Sequence, residues 1–307
     1  MNDSSITRRR FCQSAAAVWA AASARPASLA AETGGFRLNY ILGSPMYGTA
    51  PLAEVLPEVH KIGARQIDVW PRPHADHREQ IEAMGLDRFR ELLDQHHVEL
   101  GAITRYDLGP RRIDREMPTL QQLGGRLIVS GAGRGEPTKA GVQKFVAQLR
   151  PQIELAEELG LTIGIENHAH SLIHSLDSIR WFAELAESSP LGLALAPYHL
   201  PQEPETIAKL IVDLGPKVVF FQAWQYGMGC MKKLPKEQEM LQLPGRGPLD
   251  FRPILAALAK IHYQGWTEIF MHPTPRGIPI RETTADVTAE INRSRAYLEQ
   301  CLQEMEL

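Results

Sequence analysis

Residues 163–170 read Ile-Gly-Ile-Glu-Asn-His-Ala-His, an apolar run that turns into a carboxylate and two imidazoles. An extended chain sends successive side chains to opposite faces, so Glu166, His168 and His170 share one face for as long as the extension persists. A carboxylate closing an apolar strand has to be paired, metal-bound or altered in its proton affinity, because burying it bare is costly. A salt bridge to Arg105 is the plainer way of meeting that need. Two more imidazoles stand at comparable places. His199 ends Ala196-Pro197-Tyr198-His199, and His272 ends a run in which Glu268, Phe270 and His272 share one parity. Imidazoles around one carboxylate suit a divalent ion, with Glu166, His199 and His272 as ligands and His168 or Glu268 as further candidates. The same groups suit general acid–base work, with Glu166 as base and His199 as acid or oxygen partner. Each histidine can equally be an ordinary hydrogen-bonded one.

Candidate substrate-binding groups surround these. Trp70, Trp224 and Trp266 could offer flat apolar faces to a ligand ring, or simply fill the core. Gln222 and Glu268 put polar groups near strand ends, while Arg246 and Arg276 could clamp an anionic group through paired donors.

The elements that must position these residues follow from periodicity. Short apolar runs at 38–42, 66–70, 99–103, 126–129, 161–166, 191–195, 218–222 and 267–271 read as strands. Between and after them, helical patterns cover 52–61, 78–96, 115–123, 139–159, 176–187, 204–214, 248–262 and 284–303. Strict alternation argues for a parallel sheet with helices outside it, and eight units over this length argue for an α/β fold, a closed (β/α)8 TIM barrel forming a single domain over residues 31–307. A doubly wound open sheet is the rival, but Gly43-Ser44-Pro45-Met46-Tyr47-Gly48 lacks the dinucleotide-binding glycine spacing. In a barrel every strand's C-terminal end reaches one rim, which collects the residues above. The long irregular stretch 223–247 falls at that mouth.

The formal net charge is −3, so no basic field gathers nucleic acid. Thr7-Arg8-Arg9-Arg10-Phe11, the small apolar run at 15–22 and Ser28-Leu29-Ala30-Ala31 resemble a twin-arginine signal peptide over residues 1–30. That implies the twin-arginine (Tat) export machinery as a partner of the precursor, a periplasmic or otherwise exported product, and no permanent membrane span. A disordered basic tail is the alternative. Cleavage removes Arg8, Arg9, Arg10, Arg25 and Asp3, taking the charge from −3 to −6. It also removes Cys12 and leaves Cys230 and Cys301, too few for a disulfide framework. A homo-oligomer is compatible with the sequence.

Glu166 at the end of strand five, Pro197-Tyr198-His199 after strand six, Gly245-Arg246-Gly247-Pro248-Leu249-Asp250-Phe251, and Tyr263-Gln264-Gly265-Trp266 before strand eight together resemble the xylose isomerase-like TIM barrels, the sugar phosphate isomerase/epimerase group. The resemblance covers residues 37–305. It implies one divalent metal held by Glu on strand five, Asp on strand six, His on strand seven and Glu on strand eight. Here Glu166 matches, Ala196 stands where the Asp should be, Gln222 stands near the His, and the last Glu falls at about Phe270. Either the metal is gone or the site has been rebuilt; oxygen-rich ligation suits Mn²⁺ or Mg²⁺ and imidazole-rich ligation Zn²⁺. The implied function is an exported enzyme acting next to the carbonyl of a small carbohydrate, an isomerase, epimerase or related lyase. The alternative is a carbohydrate-binding barrel that has lost its metal site and catalyses nothing. An endonuclease of the related DNA-repair group is disfavoured by the charge.

Overall fold

The computed structural model describes residues 35–306, so the expected signal peptide lies outside the described residues. Eight parallel strands form a closed barrel: β1 Asn39–Gly43, β2 Gln66–Val69, β3 Glu99–Thr104, β4 Leu127–Gly131, β5 Thr162–Glu166, β6 Leu191–Leu195, β7 Val218–Ala223 and β8 Trp266–Ile269. The barrel shuts where Asn39, Tyr40 and Ile41 of β1 pair with Trp266, Thr267 and Glu268 of β8. Every expected strand is present, its ends within two residues of the expected ones, because buried parallel strands read as short apolar runs bounded by turn residues.

The helices depart more from expectation. The 78–96 pattern is two helices, α2 His77–Met84 and α3 Leu86–His96, broken where Gly85 adopts φ 83 and ψ 154. The 139–159 pattern is likewise α5 Lys139–Gln148 and α6 Arg150–Leu159, because Pro151, with no N–H to donate, suits the start of a new helix and not the interior of one. The remainder are α1 Leu52–Val55, α4 Met117–Gln122, α7 Leu176–Leu185, α8 Pro204–Leu214, α9 Lys236–Glu239, α10 Arg252–Lys260 and α11 Thr284–Glu304. None among the described residues is long and apolar enough to cross a membrane.

Two apolar layers result. A large one lies between strands and helices, and a small one of Ile41, Ala102, Leu127, Val129, Ala194 and Phe220 fills the barrel, with Tyr106 and Trp266 packed on it. The filling is a plug, so the barrel interior is a packed core and not a channel.

The stretch after β7 is folded back over the rim. Gln225 donates from Nε2 to the Leu243 carbonyl, accepts from the Leu249 N–H at 2.7 Å, and donates its own N–H to the Gln242 carbonyl. Gly247 is required by this contact: a Cβ there would stand 2.2 Å from the Leu241 oxygen.

Candidate active site

Glu166 is the last residue of β5 and is 4% exposed. The next residue, Asn167, fastens the β5 end to the β6 end: its Oδ1 accepts the Ala196 N–H at 2.8 Å and its Nδ2 donates to the Ala196 carbonyl at 3.0 Å. A short 3-10 turn, Pro197–His199, then brings His199 round, and its Nε2 stands 3.7 Å from Glu166 Oε1. The plainer reading of Glu166 fails, since Arg105 pairs with Asp107 and Glu116 instead.

Strand parity does not deliver the two neighbouring histidines. The extension stops at Glu166, and His170 takes φ 63 and faces outward. His168 approaches Glu166 through the loop, where its N–H donates to the Ile173 carbonyl. Its ring centre lies 4.0 Å from that of His199. Glu166, His168 and His199 each offer one ligand atom, and the three atoms lie within 4.8 Å of one another.

His272, expected as the third ligand, is not in that group. Gln242 holds its backbone from both sides, donating to the His272 carbonyl at 2.9 Å and accepting its N–H at 3.2 Å. The ring is thereby set on the other wall, 4.8 Å from His74 in a stacked pair and edge-on to Trp224. The expectation relied on parity along strand eight, but β8 ends at Ile269, before that parity can carry His272 to Glu166.

Aromatic rings make the floor and wall. Trp70 stacks on Phe270 with centres 5.1 Å apart, Tyr106 meets Trp70 edge-on, and Trp224 stacks on Tyr198 at 4.0 Å and 9°. Trp70 and Trp224 are each 1% exposed, so any face they offer a ligand is narrow. Burial pushes the Glu166 carboxyl up to about 7, only partly offset by His168 and by the Tyr106 hydroxyl nearby. Burial also holds His199 and His272 neutral, well below the usual imidazole range, and brings His74 down to about 4 with help from Arg276. The Glu166 to His199 contact is therefore a meeting of a carboxyl with a neutral imidazole, not an ion pair.

The other expected residues divide. Arg276 lies near the imidazoles, and its donors reach only the Pro273 carbonyl and Cys230 Sγ, so its charge meets no carboxylate among the described residues. Arg246 is committed elsewhere, to Glu290 at 2.6 Å and Glu237 at 3.1 Å, which removes it as a clamp. Gln222 and Glu268 are fully buried and bonded to each other at 3.1 Å, inside the barrel and not at its mouth. Sequence reading passed over Tyr106, Tyr198, Asn167 and Asp68. For Asp68 a signal existed, a carboxylate between Ile67 and Val69 in an otherwise apolar strand.

The four-ligand set that the resemblance implied does not fit. Ala196 and Phe270 are fully buried and carry no donor, and Gln222, whose Nε2 donates to Glu268 and whose Oε1 is buried without a partner, offers an amide where the resemblance calls for an imidazole. Glu166, His168 and His199 do fit a smaller site of one carboxylate and two imidazole donors, an arrangement that leaves positions open.

A family profile, Xylose isomerase-like TIM barrel, matches residues 56–297. No curated protein sequence matches this chain. Among solved structures, a xylose isomerase domain protein from Alicyclobacillus acidocaldarius subsp. acidocaldarius superposes with a TM-score of 0.63 at 17% identity, over 87% of this chain and 99% of that one. An L-ribulose 3-epimerase gives 0.65 at 17% over 88% and 97%, and a 3-keto-D-glucoside 4-epimerase from E. coli gives 0.64 at 16% over 86% and 100%. At these identities the likeness is one of fold.

Proposed function

The chain belongs to the xylose isomerase-like TIM barrel family, and from that membership and the site we propose a sugar-active enzyme that moves a proton on the carbon next to a carbonyl, as an isomerase, an epimerase or a related lyase. One observation carries the reading: a buried carboxyl at the end of β5, with a proton affinity near neutrality, faces neutral imidazoles across a mouth lined with aromatic rings. A general base works best when its pKa lies close to the working pH, and Glu166 is so placed. The epimerases among the solved neighbours support the same class of chemistry.

In this reading the ring of the sugar lies on the aromatic floor and Glu166 takes the proton. Neutral His199 donates to the oxygen that gains charge with the His168 ring beside it, and Arg276, lacking a carboxylate partner among the described residues, supplies the positive field opposite. His74 and His272 face the substrate from the other wall as hydrogen-bond donors. A divalent ion would be held by Glu166, His168 and His199, and when bound it polarises the carbonyl and its neighbouring hydroxyl. The second glutamate that the family resemblance places on strand eight is absent, with Phe270 in its place, which disfavours a symmetrical exchange between two carboxylates.

The test is product analysis by NMR with a panel of ketoses, aldoses and keto-glycosides, in the presence of Mn²⁺, Mg²⁺ or Zn²⁺. A new sugar formed by the native chain and reduced about 10²–10⁴-fold in Glu166→Gln supports the proposal. Binding without turnover would favour the non-catalytic alternative, to which the replacement of the family Asp and His at Ala196 and Gln222 lends support. Export is a separate proposal resting on the twin-arginine pattern; a fusion of residues 1–35 that fails to export a folded reporter would contradict it.

A further inference from the structure

Inside the barrel, under the pocket floor, two carboxyl groups meet. Asp68 on β2 and Glu268 on β8 flank β1, pairing with Gly43 and Ile41 respectively, and both have 0% exposure. Asp68 Oδ2 accepts from Trp70 Nε1 and from Thr104 Oγ1, each at 2.7 Å, and Glu268 Oε2 accepts from Gln222 Nε2. The Thr104 backbone N–H also lies near Asp68, yet Asp68 Oδ1 and Glu268 Oε1 are buried with no partner of good hydrogen-bond geometry, although the two side chains lie within hydrogen-bonding reach of each other. Gly43 makes the room, since a Cβ at that position would stand 2.2 Å from Glu268 Oε1. Glu166 and Tyr106 are the other titratable groups facing the pair, and among the described residues no cation does.

Two adjoining carboxylates without a cation cannot both be ionised in so dry a place. A single proton between Oδ1 and Oε1 satisfies both orphaned oxygens at once. We propose that Asp68 and Glu268 share one proton and act as a positioning dyad that fixes the Trp70 indole as the floor of the substrate pocket. The indole N–H ends on the dyad, while the ring supports Phe270 and meets Tyr106 and His74 edge-on. Its orientation therefore follows the protonation of the pair. Burial raises the proton affinity of both carboxyls, which keeps the shared proton in place through neutrality. The role as a substrate floor rests on the function proposed above; the shared proton does not.

The experiment uses the full chain with ¹³C-labelled Asp and Glu carboxyls and ¹⁵N-labelled Trp indoles, followed by NMR from about pH 6 to about pH 9. Signals are assigned by their loss in Asp68→Asn, Glu268→Gln and Trp70→Phe. The expected result is one proton held across the pair at neutral pH, unchanged by Glu166→Gln, and an indole resonance that moves when the pair ionises. Glu268→Gln, whose amide can still donate to Asp68, is expected to keep the indole bond and abolish its alkaline shift. Two ionised carboxyls at neutral pH in the native chain, read without any variant, would overturn the proposal, as would an indole resonance indifferent to Asp68→Asn. A shared proton in a chain that turns over no sugar leaves the dyad standing and removes the function proposed above.

Discussion

Asn167 joins Ala196 through both halves of its amide, accepting its N–H at 2.8 Å and donating to its carbonyl at 3.0 Å. It thus does for the ends of β5 and β6 what a further rung of the sheet would do. Glu166 precedes this clamp by one residue and His199 follows it by three, so their 3.7 Å approach depends on it.

Asn167→Ala leaves the buried Ala196 N–H without a partner and its carbonyl with only the His199 N–H. Chemical denaturation should show a loss of about 1–3 kcal/mol. Any sugar turnover should fall further than the loss of folded protein accounts for, because the spacing of Glu166 and His199 is set free. Unchanged stability would mean the clamp is not formed.

Metal binding separates the two walls of the mouth. Titration of the chelator-treated chain with Zn²⁺ or Mn²⁺ should give one bound equivalent, lost in Glu166→Gln and weakened at least tenfold, about 1.4 kcal/mol, in His168→Asn or His199→Asn. His272→Asn should leave the stoichiometry intact, since that ring stacks on His74 instead. Loss of the ion in His272→Asn would contradict the grouping.

Buried imidazoles and buried carboxyls pull the acid response in opposite directions. Unfolded histidines take up a proton below about pH 6.5. His74 in the fold resists until about 4, and His77, His199 and His272 are also held neutral by burial. At these rings the unfolded chain binds more protons than the folded one, so each removes about 1.4 kcal/mol of stability per pH unit as pH drops from about 6.5 towards 4. Glu166, Asp68 and Glu268, whose carboxyls burial raises, hold protons in the fold over the same range and offset part of that loss. The histidine share is read by difference: stability of His74→Asn should fall less steeply with acid than that of the native chain, and identical slopes would count against neutral burial of that ring.

Gly43→Ala probes the crowding inside the barrel. The added carbon meets Glu268 Oε1 and the rest of that carboxyl, with the Asp68 pairing behind it. A cost of about 1–3 kcal/mol is expected from overpacking, with a perturbed Trp70 fluorescence spectrum. A neutral effect on both would show that Glu268 has room to withdraw.

The barrel was legible because most strands are short apolar runs closed by turn residues, and the alternation of such runs with helical patterns fixes the topology. The breaks at Gly85 and Pro151 were missed because amphipathic periodicity continues across them while the backbone does not. Within the site, Glu166 and His199 could be found, since each lies within a few residues of a strand end whose direction the fold dictates. His272 could not be placed, because its position depends on Gln242 in the loop after β7 and not on its own strand. Arg246 misled for the opposite reason: its partner Glu290 arrives from α11, 44 residues further along the chain. Asp68 and Glu268 meet only once the barrel has closed, which no local pattern reports.

The most direct measurement is deuterium wash-in. The metal-loaded chain is incubated in D2O with each sugar of the ketose, aldose and keto-glycoside panel, and the carbon next to the carbonyl is followed by NMR. Deuterium should enter that carbon in at least one sugar, and Glu166→Gln should slow its entry by about 10²–10⁴-fold. No wash-in with any sugar, or wash-in at the native rate in Glu166→Gln, would contradict the role given to the β5 carboxyl.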